Sequence, residues 1–161
     1  MNFLKDLEKY QSNICLIDKD KKIFFYKDVL NKSYEINEQL SPRSLVFVLA
    51  ENYIDCIVSY ISFFRKGLVQ VLISPTIEKN LLNELILSYS PTYIFLPNSR
   101  YKDFSSSEIL FEFNYHKILL LNKKKSYKIH KDLALLLSTS GSTGSKKLIR
   151  ISYKNIYNNT K

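Results

Sequence analysis

Leu45-Val46-Phe47-Val48-Leu49-Ala50 is the stretch that decides the fold. Six apolar residues run together with no alternation. A strand with one wet face alternates apolar and polar residues, so a continuous run of this length reads as a strand covered on both faces, as in parallel sheets. Downstream, residues 53–66 carry Tyr53, Ile57, Tyr60, Ile61 and Phe64 at helical spacing, and that stripe is the expected buried face. Gly67 follows at the position of a left-handed helix cap. Residues 68–73 form a second continuous apolar run. Thr76 is placed to cap a third helix, with Glu78 in its first turn and a stripe of Ile77, Leu81, Leu82, Leu85, Ile86 and Tyr89. Residues 92–96 read as another strand. Strand, helix, strand, helix, strand predicts a parallel sheet joined by right-handed crossovers.

The flanks fit around this unit. Residues 13–17 and 23–26 enclose the charged turn Asp18-Lys19-Asp20-Lys21-Lys22 and read as a β-hairpin. Residues 26–40 follow as a helix with Val29, Leu30, Ile36 and Leu40 on one face, stopped at Pro42. Residues 98–107 are polar and read as a loop. Residues 109–113, 117–121, 133–137 and 148–152 read as strands, and residues 155–161 as the start of a helix. The expected class is α/β with a mostly parallel sheet, in one domain spanning residues 1–161.

Composition excludes several classes. The chain has 161 residues, of which 45% are hydrophobic and 24% charged, which is globular usage. Two cysteines, Cys15 and Cys56, make no disulfide framework; both read as buried thiols. Net charge is +9, but only four of the 24 basic residues are Arg (Arg43, Arg65, Arg100 and Arg150). Nucleic-acid readers lean on Arg for bidentate contacts, so a solvated lysine surface is the favoured reading, and no nucleic-acid partner is expected. The N-terminus lacks an apolar signal segment, and no stretch approaches the ~20 apolar residues of a spanning helix. A cytoplasmic location with no membrane partner is the expectation. His116 and His130 lack Cys, Asp or Glu at metal-ligand spacing and read as surface or strand-end residues, with no metal site. Glu8, Asp28, Glu35 and Glu38 fall on solvent faces and form no acid pair.

The chemistry is concentrated at residues 138–147, Ser138-Thr139-Ser140-Gly141-Ser142-Thr143-Gly144-Ser145-Lys146-Lys147, directly after a buried strand. Glycines permit backbone angles at which successive N–H groups converge on an anion. Ser and Thr hydroxyls add donors without bulk, and Lys147 adds charge. The spacing is not that of a Walker loop, since Lys146 stands where its second Gly belongs, and Ser140 lacks the upstream Gly of a nucleophile elbow. On composition alone, phosphate binding and a flexible Ser/Gly surface loop remain equal readings.

Residues 133–155, from Leu133 through Lys147 to Asn155, resemble the phosphate-loop signature of the adenylate-forming (AMP-binding) superfamily, which includes acyl-CoA synthetases, luciferases and peptide-synthetase adenylation domains. Its usual form is Thr-Ser-Gly-Ser/Thr-Thr-Gly-x-Pro-Lys-Gly, followed by Ser-His-x-Asn. Thr139 through Gly144, Lys147, Ser152 and Asn155 match. Lys146 replaces the usual Pro, Leu148 the usual Gly and Tyr153 the common His. The Leu148 exchange matters most if that position needs a positive φ. Residues 25–30 and 60–75 are similar to two further family segments, an early Thr-Tyr-x-Glu-Leu and a Leu-x-Ala-Gly-x-x-x-Val-Pro-Leu-x-Pro element.

The resemblance implies an acid ligase that activates a carboxylic acid with ATP and Mg²⁺ to an acyl-adenylate, then usually a thioester on coenzyme A or a carrier protein. Thr139, Ser140, Gly141, Ser142, Thr143, Gly144 and Lys147 would contact the nucleotide phosphates, with Lys147 also catalytic. The family's later elements (an aromatic pocket motif, a Mg²⁺-holding Glu, a ribose-binding Asp and a C-terminal-domain Lys) have no counterpart in these residues. The resemblance therefore implies the N-terminal portion of such an enzyme, an incomplete domain over residues 1–161 with the superfamily's three-layer sandwich, inactive alone and open to a complementing chain. The competing reading is a non-enzymatic α/β interaction module or decayed remnant that binds a partner chain.

Overall fold

The computed structural model describes residues 3–123, 128–138 and 148–159. A 3-10 helix, Phe3–Tyr10, leads into a two-stranded antiparallel hairpin of β1 (Ile14–Ile17) and β2 (Ile23–Phe25). Its charged turn is organised by Asp18, whose carboxylate accepts the N–H groups of Asp20 and Lys22, each at 2.9 Å. Helix α1 (Tyr26–Glu38) follows, and Asp28 reaches back to accept the Phe25 N–H at 2.9 Å. This one-sided closure of the first turn by the Asp28 carboxylate favours a helix start at Tyr26.

The main sheet holds β3 (Leu45–Leu49), β4 (Val69–Ile73), β5 (Tyr93–Pro97), β6 (Glu108–Glu112), β7 (His116–Leu120), β8 (Leu133–Ser138) and β9 (Leu148–Ser152). Their order is β6-β7-β5-β3-β4-β8-β9. The centre, β5-β3-β4-β8, is parallel throughout, while β6, β7 and β9 join antiparallel. Helices α2 (Ile54–Lys66) and α3 (Lys79–Tyr89) are the crossovers, and α4 (Tyr153–Asn159) follows β9. The polar stretch expected as a loop holds a 3-10 helix at Asn98–Phe104.

β3 is buried at every position, as its unbroken apolar run demands. The chain steps from β3 to β4 on one side, then from β4 back to β5 on the other. Right-handed crossovers in opposite directions must lie on opposite faces. The core divides accordingly. Val46, Val48, Tyr93 and Phe95 pack with Val29, Ile36 and Phe63 of α1 and α2. Leu45, Phe47, Leu49, Ile94 and Leu96 pack with Leu82 of α3. The period-two alternation of side chains thus makes two cores from one sheet, and the result is three layers.

The buried face of α2 differs from the expected stripe. Asp55, Cys56, Val58, Ser59, Ser62, Phe63 and Phe64 are buried, whereas Ile57 is 43% exposed. Small serines let the helix lie close to its neighbours. The Ser62 hydroxyl donates to the Val58 carbonyl of its own helix at 2.6 Å, so it enters the core without an unmet polar group. Thr76 does not cap α3, since its hydroxyl pairs with that of Ser74 at 2.8 Å and the helix begins at Lys79.

Gly67 ends α2 with φ +76°, and its N–H bonds the Phe64 carbonyl at 3.0 Å. A Cβ there would meet nothing within 4 Å, so the cost of a side chain is purely conformational. Gly67→Ala is expected to lower stability by about 1 kcal/mol in urea unfolding, and Gly67→Asn by less, because Asn tolerates the left-handed region better.

Candidate functional site at the carboxyl edge of the sheet

The four parallel strands end at one edge, at Leu49, Ile73, Pro97 and Ser138. The crossovers leaving β3 and β4 diverge there, and ligands of open α/β sheets bind in such a crevice outside the carboxyl ends of the strands. β8 pairs with β4 through Leu72↔Leu137 and with β9 through Ser138↔Leu148. The two ends of the hydroxyl-rich segment are therefore held side by side at that edge, one strand away from the point of divergence.

The predicted contacts Thr139, Ser140, Gly141, Ser142, Thr143, Gly144 and Lys147 lie outside the described residues. The flanking residues are described, and they explain two features of the motif. Leu148 begins β9 and is absent from the positive-φ residues, which outside glycine are Lys21, Arg43 and Ser90 among the described residues. Its side chain packs on the α3-side core, so leucine in place of glycine costs no backbone strain here. Ser152 and Asn155 close the first turn of α4. The Asn155 N–H donates to the Ser152 hydroxyl oxygen at 3.1 Å, and the Asn155 side-chain carbonyl accepts the Ser152 N–H at 3.0 Å and its hydroxyl at 2.6 Å. This is a capping box with Asn in the place of Glu. Tyr153 between them packs its ring on Phe64 of α2 at 6.0 Å, and burial raises its phenol pKa, with Arg43 pulling the other way.

Arg43 fixes the start of the loop-bearing strand. Its guanidinium donates to the Leu133 carbonyl at 3.2 Å, the Gly67 carbonyl at 3.3 Å and the His130 carbonyl. One side chain thus ties the entry of β8 to the α2–β4 corner. Arg100 does the same for the segment after β4, donating to the Pro75 and Ile77 carbonyls at 3.0 and 2.9 Å and pairing with Asp103 at 3.1 Å. Arg65 pairs with Glu8 at 2.6 Å. Three of the four arginines are therefore committed inside the fold, which agrees with the reading of the positive charge as lysine surface. The Asp103 carboxyl is held below its ordinary pKa by Lys79 and Arg100 together.

The residue that sequence reasoning misplaced is His116. It is a strand-end residue, the first of β7, but it is fully buried rather than on the surface. Its Nδ1 lies 3.3 Å from Asp55 Oδ2, and its Nε2 lies 3.4 Å from Cys56 Sγ and 3.8 Å from Glu51 Oε2. These partners come from some sixty positions away, so no local spacing could reveal them. Burial alone would push the imidazole pKa down, but the hydrogen bonds and charges of Asp55 and Cys56 outweigh it and raise it to about 9. Among the described residues no group of three His, Cys, Asp or Glu side chains is placed to hold a metal ion. His130 is exposed, as expected.

No family model and no curated protein sequence matches this chain. Solved structures do. ATP-bound MatB from Rhodopseudomonas palustris superposes with a TM-score of 0.75 at 16% identity, covering 99% of this chain and 36% of that one. O-succinylbenzoate coenzyme A synthetase (MenE) from Bacillus subtilis, in complex with AMP, gives 0.73 at 16% identity, with coverages of 98% and 44%. A long-chain-fatty-acid-CoA ligase (FadD1) from Archaeoglobus fulgidus gives 0.71 at 13%, with coverages of 99% and 38%. The chain has the fold of the N-terminal domain of adenylate-forming enzymes. It spans between about a third and a little under half of the length of these similar chains. Among the described residues, no helix of this adenylate-forming fold is long and apolar enough to cross a membrane.

The capping role of Ser152 and Asn155 is testable. Ser152→Ala or Asn155→Ala is expected to weaken α4 by about 1 kcal/mol. Amide hydrogen exchange would read this as faster exchange over residues 153–157, with β3 and β4 unchanged.

Proposed function

We propose that this chain supplies the phosphate-holding strand–loop–strand of an AMP-forming acid ligase, which joins a carboxylic acid to the α-phosphate of ATP and releases pyrophosphate. The observation that carries the reading is the placement of β8 and β9. The ends of β8 and β9 that flank the hydroxyl- and glycine-rich segment pair at the carboxyl edge of the parallel strands, and structures of similar fold include complexes with ATP and AMP. In this reading Thr139, Ser140, Gly141, Ser142, Thr143 and Gly144 direct hydroxyl and backbone donors at the β- and γ-phosphates, and Lys147 adds the charge that stabilises the departing pyrophosphate. Mg²⁺ comes with ATP, and no described side chain is assigned to it. The acid substrate and a thiol acceptor such as coenzyme A or a carrier protein engage the further elements that complete enzymes of this fold possess. The 161 residues alone bind nucleotide at most weakly and do not turn it over, in the cytoplasm, unless a complementing chain supplies those elements.

Lys147→Ala removes a charge-assisted contact worth about 1.5–3 kcal/mol. It is expected to weaken binding of ATP or pyrophosphate by roughly tenfold or more, read by calorimetry, while Ser152→Ala leaves affinity intact. Equal binding by wild type and Lys147→Ala would remove the support for the loop assignment. Acid-dependent ATP–pyrophosphate exchange is expected to be absent from the purified chain, and its presence would overturn the inactive-alone reading.

A further inference from the structure

Behind the carboxyl edge lie two cavities that share walls. One, of about 410 Å³, is lined by the tip of the β1–β2 hairpin, Glu51, Tyr53, Ile54, Asn114 and Tyr115. The other, of about 320 Å³, is lined by Ile54, Asp55, Val58, Phe113 and Asn114 among others. Ile54 and Asn114 belong to both. Directly at this wall sits the buried polar cluster around His116, which the phosphate-loop reading does not use. We propose that the Asp55–His116 pair is a proton-operated latch that clamps the start of α2 onto the β6–β7 turn, and that its release opens this wall and uncovers Cys56.

The geometry of the clamp is bivalent. A single Asp55 oxygen, Oδ2, faces both the Tyr115 N–H at 3.0 Å and His116 Nδ1 at 3.3 Å, so one carboxylate on α2 grips two consecutive residues of the opposite turn. Asp55 is 6% exposed and His116 is not exposed at all. A carboxylate this deep needs a cationic partner, and the imidazolium is the one in reach. The ring is fixed on one side by Phe95, stacked at 4.7 Å and 3°, and met edge-on by Tyr53 at 5.8 Å. Tyr53 in turn stacks on Tyr115 at 4.4 Å. Charged groups reach this wall from several elements, and the two cavities are also lined by Asp18, Asp20 and Lys22 of the hairpin, Asp28 and Lys32 of α1 and Glu112 of β6. α2 presents Asp55 and Cys56, and the β3–α2 turn presents Glu51 and Tyr53. The β6–β7 turn presents Tyr115, and the hairpin presents Lys19, whose ammonium lies 5.7 Å from the Tyr53 ring centroid. The neighbouring Lys117 ammonium is engaged by Glu112. The acids outnumber the cations near the ring, which favours its protonated form.

The sign follows from linkage. His116 is held above its ordinary pKa of 6.5, at about 9, so the closed state binds a proton that the open state releases. The latch is shut at and below pH 6.5 and weakens as pH climbs from there through about 9. Once the imidazole is neutral, its Nδ1–H still donates to Asp55, but the buried carboxylate has lost its cationic partner, and hydration of that uncompensated charge favours parting the two turns. Cys56, buried with its Sγ beside His116 Nε2, becomes accessible in the same motion.

Amide hydrogen exchange of the intact chain at pH 7 and pH 9.5, corrected for intrinsic base catalysis, tests this. The opening constant over residues 53–58 and 114–117 is expected to rise about tenfold or more, with residues 45–49 unchanged. Iodoacetamide labelling of Cys56 relative to Cys15 is expected to rise in parallel. His116→Gln is expected to show the open pattern already at pH 7 and to lose the pH step, which a residue serving only as packing would not do. Equal corrected exchange at both pH values in the wild type would overturn the proposal. So would an NMR titration placing the His116 imidazole at its ordinary pKa, a measurement that stands even if the variant fails to fold.

Discussion

The constraint on which this molecule rests is the two-sided burial of β3. A strand with no polar residue cannot lie on a surface, so layers must be found for both of its faces. Neighbouring parallel strands satisfy its backbone on both edges, and parallel neighbours require crossovers long enough to hold a helix. α2 and α3 are those crossovers. Since they run from adjacent strands in opposite directions, they cover opposite faces, and the same reversal leaves a crevice at the carboxyl edge. The place where a ligand can sit is thus a by-product of how one apolar strand is covered.

Polar side chains fasten that architecture at its corners. Arg43 binds carbonyls at the entry of β8 and the end of α2, while Arg100 holds the segment after β4. Arg43 presents its fork of donors to carbonyls from two segments, and Arg100 to two carbonyls of one segment and the Asp103 carboxylate, which lysine, with its compact ammonium, cannot span in the same way. Arg43 braces the amino edge of β4 and β8, and Arg100 braces the segment leaving the carboxyl edge of β4. Three of the four arginines are engaged within the fold, and the charge excess rests on lysines.

How much of this could be read in advance depended on the range of the interactions. The hairpin, α1, the apolar strands and the Gly67 cap were legible because neighbours in sequence decide them. The face of α2 was misread because Ser59 and Ser62, which look polar in a periodicity count, are buried with Ser62 bonded to its own helix, while Ile57 is left exposed. Thr76 offered a plausible cap but found a nearer partner in Ser74. The Ser152 and Asn155 positions were recognised as a family pattern, and their hydrogen bonds show them to be a helix start. His116 had no local signal at all. Its partners, Asp55 and Cys56, lie in the first turn of α2 some sixty positions upstream, beyond any window of local sequence.

By itself, the order of residues determined the class of this protein: unbroken apolar runs separated by helical repeats can be buried only as parallel strands between helices, and the glycine- and hydroxyl-rich composition of residues 138–147 singled out the segment on which the proposed function rests. Tertiary structure alone decided the strand order, the antiparallel flanks, the role of each arginine and the environment of His116. Those outcomes depend on contacts between residues tens of positions apart, whose energies arise only when the sheet closes and water is expelled, and no window of sequence contains both partners.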